Sequence, residues 1–267
     1  MSAFIAALPM YDWPEVAADT DAVWQQLHHH LSDAGIDAPA RLVRTNRDLP
    51  GVPGGIRDAS GQLLAPDPAT LRADDLNLHS LWHHPQLLLA QTCWGPMSQG
   101  LQDRVLVVGQ PDYSDVEGGA GPLYSSAVLM RRGEHPPVAA PEGGEAIIPL
   151  NALRGRRLAF NSADSMSGQL ALEQDLASVG QDLSIFSDRL ETGGHRFSMR
   201  AVAGGQADIC ACDCRSWALM QRLEPNTAEQ LAVVGWTARR KGLPFITALA
   251  HAHLLPTLRE ALKGAGL

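Results

Sequence analysis

Asn161-Ser162-Ala163-Asp164-Ser165-Met166-Ser167-Gly168 is a polar turn lying between an apolar run, Arg156 to Phe160, and an amphipathic stretch, Ser167 to Val179. The order predicts strand, turn, helix. A Ser or Asp in such a turn caps the helix, and the unpaired N–H groups of its first turn point at whatever the turn faces. An anion is their natural partner. A helix cap with no ligand is the plainer reading of the same residues.

Two further turns repeat the arrangement downstream. Glu191-Thr192-Gly193-Gly194-His195 follows an apolar run at Leu183 to Phe186, read as a strand, and precedes a helix over Phe197 to Ala203 that Gly204-Gly205 ends. Paired glycines let a backbone approach a ligand closely, and a histidine there can donate through a ring nitrogen. Asp213 ends the next strand, Ala207 to Cys212, and precedes a helix over Trp217 to Leu223 that it could cap. A parallel sheet brings such strand ends to one edge, where ligands of α/β proteins bind.

Working outward, Phe4 to Leu8 reads as a buried strand and Val16 to Gly35 as a helix, with Val23, Trp24, Leu27 and Leu31 at helical spacing. Arg44 to Ala69, rich in Pro, Gly and Asp, predicts irregular structure. Leu76 to His84 suits a helix, Leu87 to Ala90 a buried strand, Gln91 to Pro96 an exposed turn, and Val105 to Val108 a strand. A β-rich run spans Tyr124 to Met130, and Gly133 to Pro149 is a second loop. Leu231 to Val234 and Phe245 to Ala248 suit strands, and Leu254 to Leu262 a helix. The alternation predicts an α/β protein with mixed, mostly parallel sheets and helices on both faces.

The 267 residues suffice for two compact units, and 45% hydrophobic with 19% charged residues places the chain among globular proteins. A net charge of −8 disfavours nucleic acid as a partner. It leaves room for a small anion held by local dipoles. The N-terminal apolar run has no basic start, and no stretch reaches the roughly 20 apolar residues of a membrane span. The sequence as given therefore predicts a cytoplasmic chain without membrane insertion, or a periplasmic one if a leader has been removed. Cys210, Cys212 and Cys214 fall on one face of an extended strand, read as reduced thiols. His28, His29, His30, His83 and His84 read as solvated helix positions.

The wording of these turns resembles the phosphonate-binding family of ABC-transporter solute-binding proteins. The segments that carry it are Asn161 to Gly168, then Thr192-Gly193-Gly194-His195 with Ser198, Ala201 and Val202. Gly205 to Ile209 follows with Asp213 and Trp217, then Gly242 to Thr247, and earlier His84 to Cys93. The resemblance implies a two-lobed type II periplasmic-binding-protein fold with a ligand cleft between lobes, here 1–109 plus 217–267 and 110–216. It implies that Ser165, the Met166 backbone, Ser167, Gly168 and His195 bind an anion and that Asp213 reads the ligand. Tyr11, Thr92, Trp94 and Tyr124 would complete the site. The ligand would be phosphate, a phosphonate or a related compound, the protein a monomer without cofactor, and an ABC transporter permease its partner. Trp94-Gly95-Pro96 departs from the family's Gly, aromatic, Pro order, and Met166 stands where a hydroxyl residue is common.

Three other readings compete. Ser165 or Ser167 with His195 and Asp213 could form a hydrolase triad, although no Gly-x-Ser-x-Gly elbow surrounds either serine. The cysteine cluster, with His251 or His253, could hold a metal, as in a thiamine-pyrimidine-synthase-like branch of this fold, although its spacing matches no common zinc site. A sensor could use the same cleft without transport.

Overall fold

The computed structural model describes residues 3–267, which form two compact units. The first comprises the chain up to Thr92, Met97–Pro111 and Leu243–Leu267. Its four-stranded sheet runs in the order Ile5–Ala7, Leu87–Gln91, Phe245–Ala248, Val105–Gly109. Leu87–Gln91 is buried at every position, as an unbroken apolar run covered on both faces should be. Helix Ala17–Asp33 buries Trp24, Leu27 and Leu31. They pack with Leu258, Ala261 and Leu262 of helix Leu255–Gly264 in one core. Gly35, at φ +80°, follows the first helix in the left-handed conformation that ends it.

The second unit comprises Cys93–Pro96 and Asp112–Gly242. Its five-stranded sheet runs Asp188–Glu191, Arg157–Phe160, Ile209–Asp213, Ser126–Arg131, Leu231–Trp236. Val128, Met130, Leu158, Ile209, Ala211 and Val234 pack beneath Leu172 and Leu176 of helix Ala171–Ser178. Cys212 Sγ lies 3.7 Å from Met199 Sδ of helix His195–Ala203.

Several expectations are corrected. The second unit extends to Gly242 rather than residue 216, because Leu231–Trp236 pairs along Ser126–Arg131 and completes this sheet. Among the described residues, parallel pairing is confined to Ile5–Ala7 with Leu87–Gln91 and to Arg157–Phe160 with its two neighbours. Phe245–Ala248 and Ser126–Arg131 run antiparallel to both strands beside them, so the sheets are mixed in nearly equal parts. Leu183 to Phe186 is a turn: Asp182 accepts the Ser184 N–H and starts a 3-10 helix at Leu183–Ile185. The strand is Asp188–Glu191, an exposed edge whose charged sequence carries no apolar alternation.

Arg44 to Ala69 is less irregular than its composition suggests. It contains a hairpin of Ile56–Arg57 with Leu63–Ala65, whose turn Asp58 ties by accepting the N–H groups of Ser60 and Gln62. Gln91, Thr92 and Cys93 are buried rather than exposed, and Trp94–Ser98 is helical. Cys214 opens helix Cys214–Leu223 instead of sharing the strand face of Cys210 and Cys212; all four cysteines are buried and free. His84 is also buried. One ring nitrogen is 3.1 Å from the Pro50 carbonyl and the other accepts the Gln86 N–H, so the ring pins the loop that precedes the Leu87 strand.

Candidate functional site

The polar turn folds as a cap with an unusual first turn. Ser165 Oγ accepts the Gly168 N–H at 3.1 Å, while the Ser165 carbonyl accepts from both Gln169 and Leu170. These bonds start the helix as a π turn, Met166–Leu170, before it becomes α-helical at Ala171. Such turns concentrate at functional sites. Gly168 leaves room for the Asn161 side chain, whose Oδ1 a Cβ there would displace. The Met166 N–H, expected to face an anion, instead meets Cys93 Sγ at 3.3 Å. The Cys93 thiol becomes its acceptor because the Cys93–Pro96 segment presses on the turn, with Gly95 against the Asp164 carbonyl.

Ser167, one residue further, points its hydroxyl at the second predicted turn. Its Oγ is 2.8 Å from His195 Nε2, and the same nitrogen is 3.4 Å from Asp213 Oδ2. Asp213 is 2% exposed and caps its helix: Oδ1 accepts the Ser216 N–H at 2.9 Å, Oδ2 the Ser216 hydroxyl at 2.7 Å. Burial lowers the pKa of His195, and the Asp213 carboxylate opposes that shift. The imidazole is therefore neutral at neutral pH, able to donate or accept at Nε2.

Tyr124 completes the cluster. It is buried beside Ser167, and its phenol pKa is pushed well up by burial, then by Cys93 and Asp213. Its ring packs on Tyr113, centroids 5.4 Å apart, and the Arg215 guanidinium lies 5.1 Å above the other ring. Ser126 is the cross-strand partner of Asp213, and the buried hydroxyls of Ser125 and Ser126 have no hydrogen-bond partner among the described residues. Sequence reasoning missed both serines, since only the strand register places Ser126 opposite Asp213.

The predicted residues thus separate into groups. Ser167, His195, Asp213 and Tyr124 converge. Ser165 and Gly168 shape the turn. Trp94 spends its indole N–H on the Gly242 carbonyl at 2.7 Å and lies under the Lys241 ammonium. Tyr11 and Thr92 belong to the first unit, where the Thr92 N–H donates to Pro244 and its buried hydroxyl has no hydrogen-bond partner among the described residues. Among the described residues no group of three or more His, Cys, Asp or Glu is placed to hold a metal.

Comparison with solved structures identifies the fold. PhnD1 from Prochlorococcus marinus, solved with methylphosphonate, is 14% identical and superposes with a TM-score of 0.63, covering 97% of this chain and 84% of that one. A binding protein component of an ABC phosphonate transporter from Pseudomonas aeruginosa gives 0.58 at 14% identity, over 98% and 73%. The periplasmic VFT2 domain of BvgS from Bordetella pertussis gives 0.54 at 14% identity, over 98% and 87%. No curated protein matches the sequence. The fold is that of the two-lobed periplasmic binding proteins, a class that holds small solutes.

Within that class, the sequence model for "ABC transporter, phosphonate, periplasmic substrate-binding protein" matches residues 118–267. The chain belongs to this family and is a solute-binding protein. No described helix is long and apolar enough to cross a membrane.

Proposed function

We propose that this chain binds a small phosphorus oxyanion, a phosphonate or hydrogen phosphate, and delivers it to an ABC transporter permease. The observation that carries the reading is the meeting of Ser167 and Asp213 at one nitrogen of His195. Ser167, its N–H at the helix start, His195 and Tyr124 supply donors to the oxyanion. Asp213 repels a fully ionised ligand and accepts a hydrogen bond from a protonated one, which favours hydrogen phosphate or a phosphonate monoanion over sulfate. Methylphosphonate in the Prochlorococcus marinus protein supports this ligand class.

Tyr11, Thr92 and Trp94 are proposed further contacts, Ser165, Met166 and Gly168 the frame of the helix start. Hinge closure of a monomer on its ligand and a periplasmic location are part of the proposal, and the family description "periplasmic substrate-binding protein" supports the location. The proposed role involves no catalytic step. A serine hydrolase needs its carboxylate on the histidine nitrogen opposite the nucleophile. Here Asp213 and Ser167 address the same one.

A thermal-shift screen of methylphosphonate, phosphate, phosphite and sulfate tests the reading, because a ligand bound only by the folded state raises Tm. Stabilisation by the phosphorus oxyanions and not by sulfate is expected. No shift with any of them contradicts it.

A further inference from the structure

Cys93 occupies a position in this site that the reading above leaves without a role. Its segment, Cys93–Pro96, belongs to the second unit. Gly95 lies so close to the Asp164 carbonyl that no Cβ fits, Trp94 Nε1 donates to the Gly242 carbonyl, and the Lys241 ammonium sits 5.1 Å from the indole centroid. These contacts hold Cys93 Sγ where it accepts the Met166 N–H. Burial raises the thiol pKa, so the sulfur is neutral and a weak acceptor. Beside it stand Tyr124, 2% exposed, and the site carboxylate Asp213.

The geometry points to Cys93 as a specificity-determining residue: by holding the Met166 N–H it withholds one backbone donor from a bound oxyanion, so the site favours an oxyanion that carries its own proton. This rests on the oxyanion-binding reading above. A fully ionised anion leaves water only where enough donors replace its hydration. A phosphonate monoanion needs fewer, since its P–OH turns to Asp213. Removing the thiol orphans a buried N–H, and a bound anion becomes its available partner.

Calorimetric titration of methylphosphonate and of sulfate into the wild-type protein and three variants tests this. Cys93→Ala is expected to melt lower than wild type when free of ligand. It should narrow the preference for methylphosphonate over sulfate about tenfold, the worth of one charge-assisted hydrogen bond. Cys93→Val fills the thiol's space without accepting and should narrow it equally, which keeps the test open if the alanine variant does not fold. Cys93→Ser retains an acceptor and should keep the wild-type preference. An unchanged preference in the alanine or valine variant overturns the role of Cys93 and leaves oxyanion binding standing. A wild-type protein that binds neither anion overturns both.

Discussion

Strand Ile209–Asp213 is flanked by two aspartates, and the molecule treats them differently. Asp208, just before the strand, is held by two guanidinium groups. Arg157 donates to both carboxylate oxygens at 2.8 and 3.0 Å, and Arg131 adds a bond at 3.1 Å. The Arg157 side chain is the leading reason its pKa lies far below the usual carboxylate range. Asp213, at the other end, is met by a serine and a neutral imidazole, across the strand from Ser126, whose hydroxyl has no hydrogen-bond partner among the described residues. A carboxylate answered by arginines fastens the fold. One set among hydroxyls and a histidine is the carboxylate proposed above to read the ligand.

Substitutions at the two ends should therefore fail in different assays. Asp208→Ala removes the carboxylate that Arg157 and Arg131 share, although Arg131 keeps Glu134 and both keep carbonyl partners, and should lower unfolding free energy by about 2 kcal/mol in chemical denaturation, while ligand affinity in the surviving folded protein stays as it was. His195→Ala should leave the denaturation midpoint close to wild type and weaken methylphosphonate binding by about 2 kcal/mol, roughly thirtyfold, in calorimetry. Loss of binding in Asp208→Ala at full stability would erase the contrast between the ends.

Acid provides a second separation. His195, His83 and His84 all have pKa values lowered from 6.5, with burial the largest cause for each. The unfolded chain then binds protons that the folded one refuses. Stability should be full above the unfolded pKa and fall as pH drops below about 6.5. The Asp208 contribution has the opposite origin, a depressed carboxylate, and is lost at lower pH, below the ordinary Asp value of 3.8. Denaturation midpoints measured across pH should show two steps, with Asp208→Ala shrinking the lower one, to which the lowered carboxyls of Asp48 and Glu224 also contribute. The smallest effect expected is that of Ser126→Ala, which should change methylphosphonate affinity by about 1 kcal/mol or less if the hydroxyl meets the ligand, and raise stability slightly because an unpartnered buried hydroxyl disappears.

Much of the candidate site was legible because its groups lie where a strand gives way to a helix. Ser165, Ser167 and Asp213 announce themselves as polar residues at the ends of apolar runs, and His195 by the paired glycines before it. What stayed hidden depends on pairing between distant segments. Nothing local marks Asp188–Glu191 as a strand, since an exposed edge has no apolar alternation to show. The return to the first unit after Gly242 is decided by Leu231–Trp236 joining Ser126–Arg131, a choice of sheet that an apolar run alone does not encode. The meeting of the Cys93 thiol with the Met166 N–H links residues 73 positions apart, and no helical or strand period reaches that far.

The most direct test is a calorimetric titration of methylphosphonate into the wild-type protein and into His195→Ala, with equal folding of the two verified by circular dichroism. One site per chain in the wild-type protein, weakened about thirtyfold in the variant, is the predicted result. Equal affinity in the two proteins would contradict the account, because it would take the histidine joining Ser167 and Asp213 out of ligand recognition.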